Sequence, residues 1–104
     1  MADRHRKLVN KEAGLRGKTE VMLPSGKRLD VKKGGTGIEI ERSGSPRKIS
    51  EAAARLKEAK KTGLVEKVKL KVPHKDLPEA AKAMKRRGLG GTVSNLGGTT
   101  KTRV

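Results

Sequence analysis

The sequence predicts an α/β domain in which a mixed β-sheet is covered by helices, and three stretches carry that prediction. Residues 20–41 alternate apolar and polar side chains across two turn signals, Pro24-Ser25-Gly26 and Gly34-Gly35, as a three-stranded meander does. Ile49, Ala52, Ala53, Leu56 and Ala59 then recur at helical spacing, with Gly63 as the stop. Val68, Leu70 and Val72 alternate with Lys67, Lys69 and Lys71 before Pro73, which reads as a further strand.

Taken in order, residues 1–15 form a short helix with Leu8, Val9 and Ala13 as its apolar stripe and Gly14 at its end. KTEVML, RLDVKK and TGIEIERS are the strands of the meander. The next helix takes Ser50 as N-cap, leaving Arg42-Ser-Gly-Ser-Pro-Arg-Lys48 as a loop. A later helix opens at Asp76-Leu-Pro-Glu79, buries Leu77, Ala80, Ala81 and Met84, and stops at Gly88. One short strand is expected over residues 92–95, followed by a loose Gly/Thr-rich basic tail from about residue 96. No repeat or linker divides residues 1–104, so one domain is expected.

Only 32% of the 104 residues are apolar and none is aromatic, so the core is thin and a homodimer is expected to supplement it. Cysteine is absent, which removes disulfides and thiolate metal sites. No apolar run is long enough for a membrane span or a secretory signal, which makes the cytoplasm the expected compartment. A net charge of +16 points to a polyanionic partner. Without aromatics, base stacking on single strands is disfavoured, and duplex or branched DNA held through its phosphates fits better, with RNA open on charge alone. Arg28, Arg42, Arg47, Lys48, Lys85, Arg86 and Arg87 are the candidate nucleic-acid contacts. His5 and His74 read as surface or phosphate-contacting residues, and Lys67, Lys69 and Lys71 as either a phosphate grip or a solvated, edge-protecting strand face. GLGGTVSNLGG lacks the Lys-Ser/Thr of a nucleotide-binding loop.

Against this basic background, Glu20, Asp30, Glu39 and Glu41 stand out. The two turns set a register in which Val31 faces Ile38, Leu29 faces Ile40 and Val21 faces Leu29, all on one face. The same register puts Asp30 opposite Glu39 and Glu20 opposite Asp30 on the other face, with Glu41 two residues along and Arg28 facing it. Facing carboxylates with Cβ atoms about 5 Å apart repel. Either neighbouring Arg and Lys or a divalent metal such as Mg²⁺ must lie between them. A solvated face paired with Lys and Arg is the simpler alternative.

A strand-turn-strand carrying D-(X)8-E-X-E at Asp30, Glu39 and Glu41, between two helices, resembles the PD-(D/E)XK nuclease superfamily. That superfamily includes restriction endonucleases and archaeal Holliday-junction resolvases. The resemblance covers roughly residues 4–72 and implies a restriction endonuclease-like core that hydrolyses DNA phosphodiester bonds with Mg²⁺ or Mn²⁺. It further implies that Asp30 and Glu39 are metal ligands. Glu41 takes the position usually held by Lys, so the catalytic set is Asp30, Glu39 and Glu41. Glu20, as a further metal ligand, or Glu12, on the first helix, supplies the additional acid that some members place there. Leu29 stands where the family often has Pro. A non-catalytic basic nucleic-acid-binding protein and an inactive member of the nuclease fold are the alternatives.

Overall fold

Residues 2–14 and 17–104 are described by a computed structural model, with the side chains of residues 2 and 3 left aside. Helix α1 (Ala2–Ala13) ends at Gly14, whose φ of +60° suits a residue without a Cβ; residues 1 and 15 of the expected helix lie outside the described part. The meander follows as β1 (Lys18–Met22), β2 (Arg28–Lys33) and β3 (Thr36–Ile40). After α2 (Pro46–Lys61) and β4 (Lys67–Val72), a 3₁₀ turn at His74–Asp76 leads into α3 (Leu77–Arg86). The chain closes with β5 (Thr92–Asn95) and β6 (Lys101–Arg103). All six strands form one mixed sheet in sequence order: β1, β2 and β3 antiparallel, β3, β4 and β5 parallel, and β6 antiparallel to β5.

Three expectations are corrected here. The segment beyond residue 96 is not a loose tail: Asn95 holds Thr99 and Thr100 through its side chain, and β6 pairs with β5 from Thr92–Arg103 to Ser94–Lys101. Helix α2 starts at Pro46, not after a Ser50 cap. Proline at the first helical position has a pre-set φ and no N–H to waste, so Arg47 and Lys48 sit in the first turn instead of a loop. Finally, β4 is an inner strand, so its lysines protect no edge.

Both faces of the sheet are covered. Val9 and Ala13 of α1 pack on Val31, Ile38 and Ile40. On the other face α2 and α3 bury Ile49, Leu56, Ala80 and Met84 against Leu29, Val68, Leu70 and Val93. Ala81, expected in the stripe of α3, is only half-buried, and Ala83 takes its place. The β1–β2 turn is tied to α2 by Ser25, whose N–H and hydroxyl donate to the Glu58 carboxylate at 2.8 and 2.7 Å. Among the described residues no helix is long and apolar enough to cross a membrane.

Candidate active site

Leu29 and Val31 are two residues apart, yet they lie on opposite faces of the sheet. Val31 packs under α1, whereas Leu29 belongs to the core beneath α2 and α3, close to Gly37. In an undistorted strand they would share a face, so the chain rotates at Asp30. Its neighbour in β1, Glu20, is correspondingly forced to a φ of +50°, the one non-glycine among the described residues in that region. The β2–β3 ladder stops at Val31–Ile38. Beyond that point the two strands part, and the carboxylates of Asp30 and Glu39 take over the backbone hydrogen bonds. Asp30 N–H donates to Glu39 Oε2 at 2.6 Å, and Ile40 N–H donates to Asp30 Oδ2 at 2.8 Å. The expected Leu29–Ile40 pair and the single continuous apolar face are therefore absent.

The two acids meet as the sequence predicts, but helices supply their partners. Glu39 is fully buried because α2 covers it, and Arg55 Nε of α2 donates to its Oε1 at 2.5 Å. His5 of α1 sets its Nε2 3.4 Å from Asp30 Oδ1. Burial first, and the adjacent Asp30 charge second, push the Glu39 carboxyl up from 4.5 to about 8, against the opposing pull of Arg55. Burial opposes the charge on Arg55, but the Glu39 carboxylate, with Asp30 and Glu41 beyond it, more than offsets this and raises its pKa. Arg28, expected to face Glu41, instead pairs with Glu20 at 3.1 Å where both side chains are exposed.

Asp30, with 20% of its side chain exposed, is the open member of the pair. Its partner His5 lines two surface hollows. One, of about 490 Å³, also involves Arg6, Asn10, Thr19 and Glu20; the other, of about 230 Å³, involves Glu41, Arg42, Ser43 and Lys48. Glu41 thus stands at the rim, its Oε1 accepting from Ser43 N–H at 2.9 Å. Gly44, at φ +72°, lets this rim loop fold onto the start of α3, where a Cβ would lie 2.6 Å from Asp76 Oδ2. Glu20 lines the first hollow, and its carboxylate pairs with Arg28. Glu12 lies seven residues beyond His5, about 10 Å along the helix, and is bound to Lys71 and Lys69 at 2.9 and 3.7 Å. It does not join the acid pair.

Of the candidate contacts, Lys48 and Arg42 flank the second hollow. Arg47 is exposed and pairs with Glu51 at 3.2 Å. No acidic residue occupies the first turn of α2, although carboxylates are the favoured charge there. Lys85 and Arg86 are exposed in the last turn of α3, and Arg87 donates to Ser50 Oγ at 2.8 Å. Among the described residues none of these three pairs with Asp30 or Glu39.

Arg55 and His5 are the site residues missed by sequence reasoning. Arg55 is three residues after Ala52 and four before Ala59, so the buried stripe of its own helix points it at the sheet. His5 stands four residues before Val9 on the stripe of α1. No protein-family model, curated protein or solved structure matches the chain.

Proposed function

We propose that the chain is a divalent-metal-dependent nuclease acting on DNA, built on a restriction endonuclease-like core. The observation that carries this reading is the Asp30–Glu39 pair: two acids locked together through backbone N–H groups, with Asp30 touched by His5, which lines two surface hollows that bear Arg6 in one and Arg42 and Lys48 in the other. Folding alone gains little from burying such a pair, and a strongly perturbed acid such as Glu39 marks functional sites.

The donor set suits a hard cation. Asp30 and Glu41, joined by Glu39 once it is ionised, surround the guanidinium of Arg55. Each carboxylate oxygen has a second lone pair beyond its present hydrogen bond. Among the described residues no group of three or more His, Asp or Glu side chains could hold a metal ion. Asp30 and Glu39 would therefore be the two protein ligands, with water, backbone and substrate oxygens completing the shell, as Mg²⁺ commonly requires. When bound, the ion supplies charge stabilisation at the phosphate and a lowered pKa for water. Glu41, at the rim, would accept a proton from the attacking water. Arg42 and Lys48 hold the phosphodiester chain, and Arg55 fixes Glu39 beneath Asp30.

The test is cleavage of linear, nicked and branched DNA, and of RNA, with Mg²⁺, Mn²⁺ or chelator. Cutting should require the metal and disappear in Asp30→Asn and Glu39→Gln while binding persists. A second reading, a non-catalytic nucleic-acid-binding protein, is favoured by Arg55, which already supplies one cation to Glu39. Binding without cleavage under every ion would select it.

A further inference from the structure

We propose that the pocket between α1, β4 and the β5–β6 turn binds phosphate, as the free ion or as the terminal monoester of a nucleic acid. The pocket holds about 130 Å³ and is lined on its polar side by Lys11, Glu12, Lys71 and Gly97, with Ile40 and Leu96 as apolar walls. Lys71 is only 8% exposed although it lies on an inner strand. Buried ammonium groups require partners, and a well-packed apolar residue would serve stability at least as well at such a position. One carboxylate, Glu12, faces the whole cluster: Lys71 Nζ at 2.9 Å, Lys69 Nζ at 3.7 Å, and Lys33 through its charge. With Lys11 on the rim, four ammonium groups share one negative charge. Burial opposes the charge on Glu12, but the Lys71 hydrogen bond and the surrounding lysines hold its carboxyl below the usual range, so Glu12 stays ionised and the cation surplus persists.

The roof suits a small oxyanion. The glycine pair at 97–98 turns over the lysine: a Cβ at Gly98, whose φ is +77°, would stand 3.8 Å from Lys71 Nζ. Lys71 has three donors, and Glu12 takes one. At about 30 Å³ per water, the space is that of roughly four waters. A phosphate group fits, whereas a nucleoside does not, so only the terminal phosphate of a chain could enter. Glu12 is two helical turns from His5, and the inference does not rest on catalysis at Asp30 and Glu39.

The experiment is thermal unfolding at pH 8 with inorganic phosphate against chloride at equal ionic strength. Wild type should show a saturable rise in Tm with phosphate and none with chloride. Lys71→Met should abolish it, Lys11→Ala weaken it several-fold, and Glu12→Gln tighten it by removing a like charge. Lys82→Ala, exposed on α3, should behave as wild type. If Lys71→Met does not fold, the Lys11 and Glu12 variants decide. Competition by 5′-phosphorylated but not 5′-hydroxyl oligonucleotides would assign the pocket to nucleic-acid ends. Competition by neither, with phosphate still bound, would assign it to the free ion. Absence of a saturable phosphate effect, or an effect unchanged in the Lys11 and Glu12 variants, would overturn the proposal.

Discussion

Replacing Glu39 by Gln removes a titration that works against the fold. Burial and the Asp30 charge raise its folded-state pKa from 4.5 to about 8. Between those values the folded chain keeps a proton that the unfolded chain releases. Protonation therefore favours the folded state at low pH, and stability falls as pH climbs through the window. At about 1.4 kcal/mol per pH unit, the fall from pH 5 to pH 7 is roughly 2–3 kcal/mol. For a domain of this size that is roughly 10 °C in Tm. Urea unfolding across that range, in buffers free of phosphate and divalent ions, should show wild type losing this amount relative to Glu39→Gln. Parallel curves for the two proteins would mean that Glu39 ionises as easily in the fold as outside it, and that its burial carries no such cost.

Other expectations use the same geometry. Arg55→Met leaves Glu39 without its cation and should cost about 3 kcal/mol at pH 8, less at pH 5 where Glu39 is protonated; denaturant melts at both pH values check this. Mg²⁺ should raise the Tm of wild type at pH 8, and chelator should reverse the gain, with no response in Asp30→Asn. Lys48→Ala should flatten the log–log salt dependence of DNA binding by about 0.9, read by fluorescence anisotropy. Leu56→Ala, at a position with no exposure, should cost about 2–5 kcal/mol through the cavity it leaves, measured by urea unfolding.

Much of this was legible in the sequence. Turn chemistry at Pro24-Ser25-Gly26 and Gly34-Gly35 was enough to predict the pairs Val21–Leu29 and Val31–Ile38, and both are present. That register also brought Asp30 to Glu39. It failed at Leu29 because alternation assumes an unbroken pleat with one polar face, whereas helices cover both faces here. A strand buried on both sides can turn at one residue and still bury its neighbours, so Leu29 and Val31 part at Asp30 without either reaching water. The same double cover explains Lys69 and Lys71, whose alternation reads as a solvated stripe until α1 is laid across it with Glu12. Glu20 could not be placed because its φ of +50° breaks the strand geometry on which its position was reckoned. Helix α2 began early because Pro46 starts a helix as readily as it ends a loop.

Metal-dependent cleavage requires Asp30 and Glu39 to capture a divalent ion together. Calorimetric titration of Mn²⁺ into the chain at pH 8 tests this without needing a substrate. One saturable site per chain, lost in both Asp30→Asn and Glu39→Gln and kept in Glu12→Gln, is the result predicted. Equal binding by wild type and the two variants, or no saturable binding by wild type, would contradict it.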